Sequence, residues 1–159
     1  MSLKDTILPV YKSSKSQGRQ LIRDWRRTKT PAGVTALMPG NFIFTTYLAV
    51  TDKLYDYNPL VMIIRADKKY VFGINVNWLN RLEKTKLLKY LADHRAHEKS
   101  RLQVQALIRG IRRFRFTKKA YRLYHRKAFA KPRVFLLNTT DFYDGLMHDL
   151  LDETKNARG

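Results

Sequence analysis

The sequence predicts an α+β fold, and three observations point to it. Residues 34–80 carry short runs of β-branched and aromatic residues separated by turn signals. Residues 81–131 carry apolar residues at helical spacing among many basic ones. A short apolar run, Val134-Phe135-Leu136-Leu137, follows a break at Lys131-Pro132. With 159 residues, 44% of them hydrophobic, the chain is long enough for one domain with a real core. The expected organisation is a basic N-terminal arm over 1–33 and a single α+β domain over 34–159. Within that domain, 34–80 supply barrel strands, 81–131 basic helices, and 132–159 a closing strand and a C-terminal helix.

In chain order, the arm comes first. Ser13, Ser14, Ser16, Gln17 and Gly18 are mixed with Lys12, Lys15 and Arg19, a composition that rarely packs alone and orders on a partner. A short helix is predicted from about Gln17 to Arg27, with Leu21, Ile22 and Trp25 on one side, and Thr30-Pro31-Ala32-Gly33 ends it. Met38-Pro39-Gly40 forms a turn before a strand at Asn41–Tyr47. Asp56-Tyr57-Asn58-Pro59 is a second turn, since Asn-Pro forces an extended residue before Leu60-Val61-Met62-Ile63-Ile64. That continuously apolar run predicts a strand buried on both faces. Asp67-Lys68-Lys69 turns tightly into Tyr70–Val76, where Gly73 predicts a bulge or sharp bend. Strands this short and curved suit a small SH3-like β-barrel. Gly40, Asp56, Pro59, Gly73 and Asn75 are its expected structural positions.

The helices follow. Asn80-x-x-Glu83 has the form of a capping box, with an apolar stripe of Leu82, Leu87, Leu88 and Leu91 behind it. Ser100-x-x-Gln103 opens a second helix carrying Val104, Leu107, Ile108 and Ile111, and Gly110 stands near its end. Thr117 is expected to cap a third, with Tyr121, Tyr124, His125 and Ala128 on one face. Val134–Leu137 would complete the barrel, and Thr140 would cap a last helix built on Phe142, Leu146 and Leu150.

Charge is the most informative feature for function. Thirty-two Lys+Arg against 13 Asp+Glu give a net charge of +19. The excess is uneven: +6 over residues 1–33, +1 over 34–80, +15 over 81–133 and −3 over 134–159. Such asymmetry implies a polyanion or an acidic protein surface as partner. The candidate contacts are Lys12, Lys15, Arg19, Arg23, Arg26 and Arg27 in the arm, with Arg109, Arg112, Arg113, Arg115, Lys118, Lys119, Arg122, Arg126 and Lys127 in the basic helices. Arg suits phosphate because its planar fork bonds two oxygens. Phe114, Phe116, Tyr121 and Tyr124 interleave with these cations, either as core residues or as stacking platforms for unpaired bases.

Several function classes are excluded or left without a carrier. There is no Cys, so thiolate catalysis, Fe–S clusters and Cys-based zinc sites are ruled out. His94-x-x-His97 offers two imidazoles but no third ligand at suitable spacing, and His125 reads as a packed or phosphate-contacting residue. No Walker loop, dinucleotide fingerprint or serine elbow occurs. The expectation is a protein that is not an enzyme, with no cofactor, metal or small-molecule substrate. No apolar run approaches the roughly 20 residues of a membrane span, and residues 1–20 lack the apolar region of a signal peptide. No membrane partner is expected.

Three segments in order carry a resemblance: Met38-Pro39-Gly40, then Leu54-Tyr55-Asp56-Tyr57-Asn58-Pro59-Leu60-Val61, then Phe72-Gly73-Ile74-Asn75-Val76-Asn77-Trp78-Leu79. Together with Arg122-Leu123-Tyr124, the set resembles small proteins of tailed bacteriophages with a "YD…PLV…GxNxxYL" pattern and a later "RxY" segment. Asn77 and Trp78 stand where that pattern usually has His and Tyr. The likeness runs from about residue 37 to residue 150. It implies a virion or packaging component, and related sequences carry the label DNA end protector. No catalytic residue follows from it. The expected role is structural, in a tail, baseplate or neck. Helices and arm would lie against DNA or acidic phage structural proteins, in the virion or in the host cytoplasm during assembly. The alternatives are a non-catalytic DNA-binding protein that protects or packages phage DNA ends, and a ribosome-associated basic protein.

Overall fold

Residues 15–48, 55–94, 101–129, 133–148, 150 and 153–154 are described by the computed structural model. They run α1 (Lys15–Thr28), β1 (Phe42–Phe44), β2 (Tyr55–Asp56), β3 (Leu60–Ala66), β4 (Tyr70–Asn75), α2 (Arg81–His94), α3 (Arg101–Arg112), β5 (Tyr121–His125), β6 (Phe135–Leu137), α4 (Thr139–Leu146) and β7 (Glu153–Thr154). Single 3-10 turns lie at Gly33–Ala36, Val76–Trp78, Arg115–Ala120 and Arg126–Ala128. The fold is α+β.

Five strands form one antiparallel sheet in the order β5-β4-β3-β1-β6, and β2 pairs with β7 apart from it. Side chains alternate across this sheet, and both faces are dry. Phe42, Phe44, Leu60, Met62 and Ile74 meet the helical residues Ile22, Trp25, Leu87, Leu91 and Phe142 on one face. Ile43, Val61, Ile63 and Val71 meet Leu37, Tyr47, Tyr124, Phe129 and Val134 on the other. Burial on two faces explains why β3 reads as an unbroken apolar run. The sheet is open: β5 and β6 are its edges and do not pair with each other. A lone bridge, Tyr47 to Phe129, links the chain after β1 to the chain after β5.

Two glycines are set by close approach. A methyl group at Gly73 would collide with Val61 and stand 2.7 Å from the Met62 carbonyl oxygen. The ladder between β3 and β4 shifts register between Ile63 and Arg65, beside that contact. Gly40 has φ +88°, and its N–H donates to the Ile63 carbonyl at 2.7 Å.

Four expectations are corrected. The described part of the arm is α1, seated on the core by Ile22 and Trp25, with the Trp25 ring 5.1 Å from that of Phe44. Burying two such side chains contributes roughly 3–6 kcal/mol, which holds a helix of poor intrinsic composition. The third basic helix does not form. Thr117 closes a 3-10 turn by donating its hydroxyl to the Phe114 carbonyl at 2.7 Å, and Tyr121–His125 is a strand laddered to Tyr70–Ile74. Leu82 is exposed and Lys84 takes the buried place on α2, because positions 84, 87, 88 and 91 share one helix face and 82 does not. The Lys84 stem lies in the core while its ammonium donates to the His148 carbonyl at 3.2 Å. Finally, Asn138 rather than Thr140 caps α4, its side chain accepting the Asp141 N–H at 2.8 Å.

Candidate nucleic-acid interface

The expected cations divide into held and exposed groups. Lys12 and the side chain of Lys15 lie outside the described residues. Arg19, Arg23 and Arg27 are exposed on α1; Arg23 donates to Gln20 at 2.9 Å, and Arg27 stands 3.6 Å from Asp24. Arg26 is structural instead. It donates to Asn58 Oδ1 at 2.6 Å and to Thr46 Oγ1 at 3.4 Å, tying α1 to the sheet. Arg109, Arg112, Arg113, Arg115 and Lys118 are exposed at the end of α3 and along the following 3-10 turn. Lys119 forms an ion pair with Glu83. Arg122 lies over the Trp78 ring at 5.0 Å and donates to the Lys119 and Tyr121 carbonyls at 2.7 Å each. These last two are brackets within the fold.

The interleaved aromatics serve packing. Phe116 and Tyr121 lie against the helical core, Tyr124 is buried under the opposite face, and Phe114 meets Phe116 and Tyr90 edge or face on. Tyr121 also carries a cation, with the Arg112 guanidinium over its ring at 5.9 Å.

The fold assembles a second basic group that the sequence reading only half contained. The β3–β4 turn and the 3-10 turn after β5 border a cavity of about 430 Å³, lined by Lys68, Lys69, Tyr70, His125, Arg126 and Lys127. Its backbone is fixed. Asp67 accepts the Lys69 and Tyr70 N–H groups at 2.8 Å each, and those bonds hold its carboxyl below the usual range. Their contribution is fully present above about pH 4 and is lost as pH falls through the depressed folded value. The Arg126 N–H donates to the Lys69 carbonyl at 2.9 Å, and its guanidinium Nε donates to the Asp67 carbonyl. Tyr70 and His125 are register partners, their rings 5.1 Å apart and inclined at 61°. Arg126 and Lys127 were expected; Lys68, Lys69 and Tyr70 were missed, since only the β4–β5 ladder brings them there.

Beneath the sheet lies a buried polar group centred on Asp56. Its carboxylate accepts the Asn58 N–H at 3.1 Å, the Asn75 side-chain amide at 3.0 Å and the Asn77 side-chain amide at 2.7 Å. Asn75 Oδ1 in turn accepts the Asn77 N–H at 3.1 Å. Burial pushes the neighbouring Tyr124 hydroxyl well above its ordinary value, so it stays neutral. These bonds tie the Asp56–Asn58 segment to the Asn75–Asn77 segment. Asp56 and Asn75 thus meet at one end of β3 and β4, Gly73 lies opposite Ile63 further along the ladder, and Gly40 sits against Val104 of α3.

The two-histidine pair is split by what can be described: His97 lies outside, and the His94 ring stacks on Tyr90 at 4.0 Å. Among the described residues no group of three or more His, Asp or Glu could hold a metal, and no helix is long and apolar enough to cross a membrane. Comparison of the chain with protein-family models, with curated proteins and with solved structures finds no match.

Proposed function

We propose that this chain is a structural component of a tailed-phage particle, in its tail, baseplate or neck, and that it lays a basic surface against DNA. The observation that carries the contact is the set Arg109, Arg112, Arg113, Arg115 and Lys118, exposed together and without a carboxylate partner among the described residues. Five exposed cations within ten residues of chain make a dense positive surface of the kind a phosphate backbone attracts. The particle assignment rests on the phage-like motif order.

The sheet supports the finer fold reading. Its last core strand, β6, returns to pair with β1 after a 3-10 turn, in the order β5-β4-β3-β1-β6. An SH3-like barrel, partly open and carrying α2 and α3 as an insertion, has this strand order.

The test is fluorescence anisotropy of the purified protein with duplex DNA across salt concentrations. Binding at micromolar or tighter Kd is expected near physiological salt, with log K falling against log salt at roughly −4.5 for about five phosphates neutralised. Reversing Arg109, Arg112, Arg113, Arg115 and Lys118 to Glu, while leaving the structural Lys119 and Arg122, is expected to abolish it. No binding at physiological salt overturns the DNA contact and leaves an acidic protein neighbour for the same face. Binding by a protein absent from purified particles favours the free DNA-protecting role instead.

A further inference from the structure

We infer that the cavity between the β3–β4 turn and the 3-10 turn after β5 is a pocket for one unpaired nucleotide of single-stranded nucleic acid. The inference rests on the nucleic-acid reading above and deepens it.

Three properties of the cavity converge. The first is charge. Lys68, Lys69, Arg126 and Lys127 line it, and the nearby Asp67 is already occupied by the turn's N–H groups. An anion is the ligand chemistry this lining recognises, and the pinned Arg126 offers a guanidinium whose placement needs no reordering on binding. The second is the pair of flat rings. Tyr70 and His125 line the same cavity, and a base has a π-face for either ring. The third is size. About 430 Å³ falls within the range of small-ligand clefts and is far too small to admit a duplex.

Position adds a route. The 3-10 segment that carries the exposed Arg115 and Lys118 leads into β5, which itself spans roughly 13 Å at the rise of a strand and ends at the pocket. β5 is an edge of the sheet, and Leu123 within it is exposed. A single strand bound at Arg115 and Lys118 therefore reaches the pocket within a few nucleotides.

The experiment compares the full chain with two variants, Tyr70→Ala and Lys68→Ala/Lys69→Ala, using labelled duplex DNA and short oligo-dT. Oligo-dT carrying 5-bromouracil is photocrosslinked in parallel. Both variants remove side chains that line the cavity without filling a core position. The expected result is a loss of oligo-dT affinity of roughly 5- to 150-fold in Tyr70→Ala, the span of one stacked base, with duplex affinity kept within about two-fold. The crosslinked peptide is expected to contain Tyr70 or His125. Equal losses on both DNAs, no loss on oligo-dT, or crosslinks confined to Arg109–Lys118 overturn the pocket and leave the basic surface standing. Failure of the wild-type protein to bind either DNA overturns both. Thymidine monophosphate competing as well as oligo-dT overturns a strand as the source, and inorganic phosphate competing as well removes the base. Should Tyr70→Ala prove unfolded by circular dichroism, the surface double variant decides the same question through its selective loss on oligo-dT.

Discussion

Asp56 is 3% exposed, and its carboxyl oxygens accept three donors, from Asn58, Asn75 and Asn77. Replacing it with Ala strands those donors in a dry site, and each buried unmet group costs about 1–3 kcal/mol. Asp56→Ala is therefore expected to destabilise the protein by about 3 kcal/mol or more. The measurement is a urea midpoint that falls with the slope unchanged. Asp56→Asn, which keeps one acceptor oxygen, is expected to lose less. This network was half legible. Asp56-x-Asn58 and Asn75-x-Asn77 both repeat polar residues at strand period, which puts each pair on one side of its segment. The pairing of the two segments is not written in either. Arg26 shows the same limit: it reads as one more cation of a basic arm, and only the docking of α1 reveals Asn58 as its partner.

At the level of the element, α2 was legible because its signals are local. Asn80 and Glu83 form a reciprocal capping box, each side chain accepting the other's backbone N–H at 2.9 Å. Asn80→Ala is expected to cost about 1 kcal/mol, read as a lower thermal midpoint. Glu83 also holds Lys119, so Glu83→Ala, unlike Asn80→Ala, removes a tie to the turn that leads into β5. β5 was illegible for the opposite reason. Tyr121, Tyr124, His125 and Ala128 fit a helical face by spacing, but in the fold Tyr121 pairs with Ile74 and Tyr124 with Val71 on opposite faces of a sheet. Residues three apart share a helix face and oppose each other in a strand. Spacing alone does not choose between them; the open edge of β4 does. The basic pocket inherits this, because Lys68, Lys69 and Tyr70 meet His125, Arg126 and Lys127 only through that ladder.

For the molecule as a whole, +19 on 159 residues is a standing electrostatic load. Thirteen carboxylates face 32 cations, and pairs such as Lys29 to Asp141, Arg27 to Asp24 and Lys119 to Glu83 relieve only part of it. The remaining repulsion weakens the compact state. Raising salt from about 0.01 M to about 0.15 M shortens the screening length from about 30 Å to about 8 Å. The thermal midpoint is expected to rise over that interval, in calorimetry without any ligand. A midpoint that falls instead would mean that the described ion pairs outweigh the repulsion. The charge asymmetry behind this prediction was fully visible in the sequence, since composition needs no fold.

The insertion of α2 and α3 between β4 and β5 also dictates an order of events in folding. β1, β3 and β4 come from a short stretch of chain, so their ladders close over small loops. β5 meets β4 only after residues 76–120 have looped out and back, and β6 closes onto β1 across a still longer stretch. Closing a loop of roughly 45 residues rather than a hairpin of about 4 costs on the order of 2 kcal/mol more in chain entropy. The edge that builds the basic pocket is thus the late-forming part of the sheet, and a partially folded chain presents its cations before it presents their cavity.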